Sequence, residues 1–321
     1  MLNPVKLEPV YKDYIWGGSK LKKLFKKGKD INGAIAESWE LSTHPDGESK
    51  IADKSGKGMK FSEYIKMQDK NVVGSKSELD EPPVLIKFID AKENLSVQVH
   101  PNNDYARKYE HDNGKTEMWV VLSHEPGAAL YYGMREKLTK EEVRAKIEDH
   151  TILDALNRVE VQDGDVYAIP AGTIHAIGAG MVICEIQQKS NVTYRLYDYG
   201  RIGKDGKERE LHIDKALEVA NLEPVVPDRS EEIELCNSSE YRLKLLDSCQ
   251  YFQTYQYDLF GELHFSTSQK TFVCIIMLKG NCTLKYKSGE VQLKPGDTTF
   301  LPAQEAEYML EGGGELLAVS L

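Results

Sequence analysis

Apolar and polar residues alternate in many short runs along the chain, and Gly and Pro residues separate these runs. Examples are "PPVLIKFIDA", "EMWVVLS", "GDVYAIP", "GMVICEIQQ" and "TFVCIIMLKGNCTLKYK". Alternation with a period of two is typical of β-strands that bury one face, and many such strands at close spacing indicate a sandwich or a barrel. The pattern therefore predicts a mainly β protein.

Two segments have the apolar spacing of an amphipathic helix instead. Residues 138–157 begin with Thr139 and Glu142 at capping-box spacing and then carry apolar residues at helical intervals. Residues 212–221, "HIDKALEVAN", are the second predicted helix. The stretch that follows, "LEPVVPDRSEEIEL", contains Pro and many acidic residues, which indicates a linker and a domain boundary near residue 225.

One pattern occurs twice in the chain. "GDVYAIPAGTIHA" at 164–176 and "GDTTFLPAQEAEY" at 296–308 share Gly-Asp and Pro-Ala at matching offsets. The order of turn, strand, turn and strand resembles the second motif of cupins, which are small jelly-roll barrels that often hold a metal ion. We therefore expect two cupin-like jelly-roll barrels with a few helices.

The two predicted domains differ in their chemistry. The first copy of the repeat has His175 where the second has Glu307, and no Gln-x-His precedes the second copy. We therefore expect residues 1–225 to form a metal-binding cupin domain with the helical segments. Residues 226–321 are expected to form a C-terminal cupin-like domain that lacks the metal site.

Polar side chains with metal-binding chemistry lie on the strands of the first domain. In "NLSVQVHPNN" at 94–103, Gln98 and His100 project from the same strand face, ~7 Å apart. Glu117 lies in the next strand-like run, and His175 lies in the repeat. An amide oxygen, two imidazoles and a carboxylate suit one divalent transition metal and leave coordination positions open. The sequence therefore predicts a metal site formed by these four residues.

Composition and charge exclude several classes of protein. The chain has 321 residues and a net charge of −10, which argues against a nucleic-acid-binding or anionic-membrane surface. It has no run of 18 apolar residues and no signal-peptide pattern at its start, so we expect a cytoplasmic location. The five cysteines show no Cys-x-x-Cys and are predicted to be reduced thiols. Nothing in the sequence predicts the oligomeric state.

Four motifs within residues 8–225 resemble those of the type I mannose-6-phosphate isomerases, the zinc-dependent phosphomannose isomerases: "ESWELS", "NLSVQVHPNN", "GKTEMW" and "IPAGTIHAIGAG". The chain length resembles that of the short bacterial members. The resemblance implies interconversion of D-mannose 6-phosphate and D-fructose 6-phosphate, an aldose–ketose isomerisation through an enediolate. It also implies one Zn²⁺ per chain, although Fe²⁺ or Mn²⁺ would suit the same donors. The implied ligands are Gln98, His100, Glu117 and His175.

The resemblance implies two cationic site residues as well. Arg195, in "NVTYRLYDY", resembles the active-site Arg that follows Asn-Val in the family. Here two residues intervene where longer members have one, so Arg201 is an alternative. Lys115, two residues before Glu117, could bind a substrate oxygen or transfer a proton, and either Arg195 or Lys115 could bind the phosphate group. Glu185 could transfer a proton or form an ion pair.

Two other functions are compatible with these residues. A non-haem metal cupin oxygenase would use two His and one carboxylate, but Gln98 as a fourth ligand would leave fewer positions for O₂ and a cosubstrate. A non-catalytic sugar-phosphate-binding cupin would keep the basic residues and lose the metal ligands, as the second repeat does. The complete ligand set in the first repeat favours the isomerase.

Overall fold

Antiparallel β-strands form most of the regular structure, as the alternating sequence pattern predicts. The computed structural model describes residues 1–53, 56–68, 71–203, 206–227, 229–230 and 232–321. Within these ranges the strands form three sheets, of ten, six and five strands. The prediction of a mainly β protein is therefore confirmed.

Two of the sheets belong to the first half of the chain. The six-stranded sheet has the strand order β10-β7-β12-β5-β3-β2, and the five-stranded sheet has the order β13-β6-β11-β8-β9. Trp119 of the first sheet and Leu130 of the second belong to one buried apolar cluster, so the two sheets pack face to face. The strands of this half are β1 (Val5–Glu8), β2 (Val10–Lys12), β3 (Glu37–Leu41), β4 (Lys50–Ile51), β5 (Val84–Ala91), β6 (Val97–Val99), β7 (Glu117–His124), β8 (Ala129–Met134), β9 (Leu156–Glu160), β10 (Val166–Ile169), β11 (His175–Ile177), β12 (Met181–Gln188) and β13 (Tyr194–Tyr197).

The ten-stranded sheet contains the strands of the C-terminal half together with β1 and β4. Strand β1 pairs with β20 on one side and with β4 on the other. The N-terminal strands therefore extend the C-terminal sheet across the boundary predicted near residue 225. Residues 228 and 231 of the predicted linker lie outside the described residues. The C-terminal strands are β14 (Ile233–Asn237), β15 (Tyr241–Ser248), β16 (Gln253–Leu259), β17 (Glu262–Thr267), β18 (Val273–Tyr286), β19 (Gly289–Leu293), β20 (Thr298–Leu301) and β21 (Ala306–Ser320).

The helices are short and connect strands. The capping box at Thr139 is present, but the helix predicted over residues 138–157 ends at Glu148. The prediction of one continuous helix was wrong because His150 adopts a left-handed conformation (φ 58°), after which a 3₁₀ turn (Ile152–Ala155) leads into β9. The helix predicted over 212–221 is confirmed with shorter bounds. The helices are α1 (Lys20–Phe25), α2 (Phe61–Lys66), α3 (Asn103–Tyr109), α4 (Lys140–Glu148) and α5 (Ile213–Val219).

The repeated motif has the same structure in both halves. Gly164 and Gly296 open the two copies with positive φ values of 91° and 88°, a conformation that glycine adopts without steric cost. Strands β10 and β11 follow the first turn, and β20 and β21 follow the second. Glu117 pairs with the last residue of β10, whereas Val273 pairs with the last residue of β20. The C-terminal copy thus has an apolar residue at the position equivalent to Glu117.

Two predictions from composition can be compared with the structure. All five cysteines are free thiols, and three of them are buried. In the part of the chain that the structure describes, no helix has the length and apolar character needed to span a bilayer.

Candidate metal centre

Strands of both sheets bring the predicted ligands together. Gln98 lies in β6, His100 directly follows this strand, and His175 pairs with Gln98 from the neighbouring strand β11. Glu117 opens β7 in the facing sheet. The ligand atoms of His100, Glu117 and His175 all lie within 4.8 Å of one another, and all three side chains are buried. Among the described residues, this is the one group of three or more His, Cys, Asp or Glu side chains with such spacing.

The two imidazoles are held in the form that binds metals. His100 Nδ1 donates to the Val192 carbonyl at 2.8 Å, and His175 Nδ1 donates to the Thr173 carbonyl at 2.9 Å. Because a carbonyl oxygen only accepts, each Nδ1 carries the proton and each Nε2 keeps its lone pair. Burial lowers the pKa of His175 to about 4 and that of His100 well below its usual value. Both rings are therefore neutral at pH 7.

The Nε2 atoms point towards the carboxylate of Glu117. His175 Nε2 lies 3.4 Å from Glu117 Oε1, and His100 Nε2 lies 3.7 Å from Oε2. Lone pairs thus converge in a buried space. The Lys115 ammonium contacts Glu117 Oε2 and His100 Nε2 but leaves Glu117 Oε1 facing His175 Nε2, an arrangement that a metal ion would stabilise. Burial also raises the pKa of Glu117, and a bound cation would reverse that shift by stabilising the carboxylate. These residues therefore fit a divalent metal ion.

Gln98 lies next to this group but is less constrained. Its amide nitrogen lies 3.4 Å from His175 Nε2, and its Oε1 accepts a hydrogen bond of 3.3 Å from Ser96. The side chain is half-buried and lines the adjoining cavity. Rotation of the amide by 180° would exchange its nitrogen and oxygen, so Gln98 is placed to contribute an oxygen donor.

A row of alternating charges extends from the metal centre across the six-stranded sheet. Lys115 Nζ lies 2.6 Å from Glu117 Oε2 and 3.6 Å from Glu185 Oε1. Lys87 Nζ lies 3.4 Å from Glu185 Oε2 and 3.9 Å from Glu37 Oε2. Burial by itself raises the pKa of Glu185, but Lys115 and Lys87 together lower it below its usual value. Glu185 is therefore a carboxylate at neutral pH.

The charged row forms the floor of a cavity of about 260 Å³. Lys87, Lys115 and Glu185 line the floor, and Gln98 connects it to the metal centre. Arg195 and Arg209 also line the cavity. The volume is close to the lower end of the range for small-molecule sites, about 300–1,000 Å³. The cavity thus adjoins the candidate metal centre through Gln98 and is lined by guanidinium groups as well.

The guanidinium groups belong to a cluster of three arginines around Asp198. Arg209 Nε donates to Asp198 Oδ2 at 2.7 Å, and Arg201 contacts the same carboxylate and the Asn94 carbonyl. Arg195 donates through Nη1 to the Glu210 carbonyl at 2.7 Å. Its Nε is buried without a hydrogen-bond partner among the described residues. Among the described residues, Asp198 is the one carboxylate that pairs with these arginines, so this end of the cavity favours an anion.

The predicted cations differ in their positions. Lys115 and Arg195 both line the cavity. Arg201, the alternative to Arg195, pairs with Asp198 and is not among the described residues that line the cavity. Sequence reasoning did not identify Arg209. It comes eight residues after Arg201, and the hydrogen bond from the His212 backbone nitrogen to the Arg195 carbonyl brings this part of the chain back to β13 and the cavity. The sequence contains no spacing signal for this contact.

Family models and curated relatives agree on the class of protein. The model described as phosphomannose isomerase type I, catalytic domain, matches residues 5–132, and the mannose-6-phosphate isomerase cupin domain matches residues 242–321. The chain is 36% identical over 324 residues to the mannose-6-phosphate isomerase ManA of Bacillus subtilis, with 99% of each chain covered. It is 33% identical to the mannose-6-phosphate isomerase of Streptococcus mutans, over 99% of this chain and 98% of the relative.

Solved structures support the same assignment. The crystal structure of the mannose 6-phosphate isomerase from Bacillus subtilis matches with a TM-score of 0.91 and 33% identity over the whole of both chains. A zinc-bound mannose 6-phosphate isomerase, 18% identical over 99% of each chain, shares the fold with a TM-score of 0.77. The cupin prediction is therefore confirmed, and identity above 30% over full-length relatives shows that the chain belongs to the type I phosphomannose isomerase family.

Proposed function

We propose that this protein interconverts D-mannose 6-phosphate and D-fructose 6-phosphate as a metal-dependent aldose–ketose isomerase. The observation that carries the proposal is the pairing of a buried two-His, one-carboxylate centre with an arginine-lined cavity. Full-length relatives named mannose-6-phosphate isomerase support the substrate. The reaction moves a proton between C2 and C1 of the sugar and places negative charge on O1 and O2. The site must therefore stabilise an enediolate and bind a phosphate.

The proposed metal is Zn²⁺, one ion per chain, with Fe²⁺ and Mn²⁺ as alternatives of similar donor preference. When bound, the ion supplies Lewis acidity that stabilises negative charge on a substrate oxygen. The carbonyls of Val192 and Thr173 keep the two imidazoles in the ligating tautomer. The residues that would hold the ion are Gln98, His100, Glu117 and His175.

Lys115 and Glu185 are proposed to act on the reacting end of the sugar. Lys115 Nζ lies 3.2 Å from His100 Nε2, so its ammonium group is beside the metal centre and can donate hydrogen bonds to O1 or O2. Glu185 is ionised, and the nearest cation to its Oε2 is the Lys87 ammonium, at 3.4 Å. We assign to Glu185 the transfer of the proton between C2 and C1, because it is the carboxylate nearest to Lys115 that remains outside the ligand set.

Arg195 and Arg209 are proposed to bind the phosphate group. Guanidinium groups bind phosphate through pairs of charge-assisted hydrogen bonds. Arg195 has an unpaired, buried Nε in the described structure, and Arg209 is fixed by Asp198. Binding the phosphate at this end would orient C1 and C2 towards Lys115 and Glu185.

The two halves of the chain are proposed to have different functions. Residues 1–225 would carry the catalytic site, and residues 226–321 would form a supporting cupin-like domain without a metal site. The apolar Val273 at the position equivalent to Glu117 and the exposure of Glu307 support this division. A cytoplasmic location remains a prediction from the sequence.

The proposed function is tested by incubating the purified protein with mannose 6-phosphate while fructose 6-phosphate and dissolved O₂ are both measured. We expect fructose 6-phosphate to form without O₂ consumption. Oxygen uptake without fructose 6-phosphate would contradict the proposal and favour the oxygenase. Tight substrate binding without turnover by the metal-loaded protein would favour the binding protein.

A further inference from the structure

The loop between β12 and β13, residues 189–193, controls one of the proposed metal ligands. Its Val192 carbonyl accepts the proton of His100 Nδ1 at 2.8 Å, which fixes the tautomer and the ring orientation of His100. Asn191 and Thr193, on either side of Val192, line the cavity. A shift of this loop would therefore change both the metal centre and the cavity wall.

Asp112 holds this loop from the segment between α3 and β7. Its Oδ2 lies 3.3 Å from Ser190 Oγ and 3.3 Å from the Asn191 backbone nitrogen. Ser190 Oγ in turn accepts from the Val192 backbone nitrogen at 3.2 Å. The Asp112 carboxylate is itself anchored through Oδ1, which accepts from the Asn113 backbone nitrogen at 2.7 Å. One carboxylate thus connects three consecutive residues of the loop.

His44, in the turn after β3, orients this carboxylate. The ring is buried, and it packs edge-on against Trp39 with 6.1 Å between ring centroids. Nδ1 accepts from the Asp46 backbone nitrogen at 3.1 Å, so in the neutral ring the proton is on Nε2. Nε2 faces Asp112 Oδ2 at 3.5 Å. Asp46 also reaches the loop, because Asn191 Nδ2 donates to its Oδ2 at 2.7 Å.

We propose, on the basis of the metal-dependent function proposed above, that His44 is a positioning residue for the metal centre. Its Nε2–H fixes Asp112, Asp112 fixes the loop 189–193, and the Val192 carbonyl fixes His100. His44 touches neither the ligand atoms nor the cavity. Its effect should therefore appear first in metal affinity, since partners of a ligating His typically change affinity by about 10–100-fold.

A matched pair of variants separates the hydrogen bond from simple packing. In His44→Gln the side-chain nitrogen can reach the former Nε2 position and donate to Asp112. In His44→Asn the shorter amide reaches only the former Nδ1 position. Zinc affinity is measured by competition with a chromophoric chelator, and the melting temperature of the metal-free protein is measured in parallel. We expect His44→Asn to bind zinc about 10–100-fold more weakly and His44→Gln to stay near the wild type.

Asp112→Asn provides a second, independent variant. We expect it to weaken zinc binding as His44→Asn does. The double variant His44→Asn/Asp112→Asn should bind zinc as tightly as the more affected of the two single variants, because both residues act through one chain of contacts. Unchanged zinc affinity in His44→Asn, equal losses in His44→Asn and His44→Gln, or additive losses in the double variant would overturn the inference. A wild-type protein that binds no zinc would instead overturn the proposed function, so the two failures are distinguishable.

Discussion

Replacing Arg209 with Gln should weaken binding of the phosphate group and leave the metal centre intact. Arg209 lines the cavity, and burial together with the nearby charge of Arg209 lowers the pKa of Arg195. The Arg209 side chain is 25% exposed, and Asp198 keeps its contact with Arg201 after the substitution. We therefore expect the variant to fold normally.

The size of the effect follows from the kind of bond that is lost. A hydrogen bond to a charged group contributes about 1.5–3 kcal/mol, and each 1.4 kcal/mol changes an equilibrium about tenfold. Partial exposure of Arg209 places the expected loss at the lower end of this range. KM for mannose 6-phosphate should therefore rise about tenfold. The value of kcat should change little, because Arg209 contacts none of the groups proposed to act on C1, C2 or the metal.

Steady-state kinetics with mannose 6-phosphate provide the assay, and inhibition by inorganic phosphate provides a second readout of the same subsite. The inhibition constant for phosphate should rise by about the same factor as KM. Arg158→Gln is the matched control, because Arg158 is an exposed arginine on β9 that pairs with Glu160. A fall in kcat with unchanged KM, or unchanged inhibition by phosphate, would refute the assignment of Arg209 to the phosphate.

Three further predictions concern other buried titratable groups. Lys115→Met should lower kcat by about 10²–10⁴-fold at unchanged zinc content, measured by turnover and metal analysis, and a wild-type kcat would contradict the role proposed for this side chain. Because the folded-state pKa of His175 is depressed to about 4, its contribution to stability is complete above about pH 6.5 and is lost as the pH falls towards 4. In urea unfolding of the metal-free protein, the free energy of unfolding should fall by up to about 3 kcal/mol over this pH range. If the His175→Asn variant showed the same pH dependence as the wild type, His175 would not be its source. Lys27→Met should lower the free energy of unfolding by about 3–5 kcal/mol, because the fully buried Glu40 carboxylate loses the Lys27 ammonium that lies 2.7 Å away. The double variant Lys27→Met/Glu40→Met should recover most of that loss in the same unfolding assay.

The sequence is most informative where function depends on local periodicity. Gln98 and His100 are two residues apart in a period-two run, so their shared direction follows from strand geometry. His175 and Glu307 occupy matching positions of a repeat whose two turns require glycine at positive φ. The sequence therefore predicts the fold class and the clustering of His100, Glu117 and His175.

Features that depend on long-range geometry could not be predicted in this way. Strand β1 completes a sheet with β20, almost 300 residues later, and a short alternating run carries no information about its partner. The helix predicted over 138–157 ends early because His150 turns the chain, although the apolar spacing continues beyond it. The positions of Arg209 and His44 depend on contacts between distant segments, and neither residue lies in a spacing pattern that indicates its position.

The most direct test of the central claim is a zinc titration of the metal-stripped protein with turnover of mannose 6-phosphate as the readout. We predict that activity is absent without metal and rises linearly until one Zn²⁺ per chain has been added. His175→Ala should abolish the recovery, and Glu307→Ala, the exposed counterpart in the C-terminal repeat, should leave it unchanged. Full activity of the metal-stripped protein, or full recovery in His175→Ala, would contradict a metal centre in the first barrel as the catalytic site.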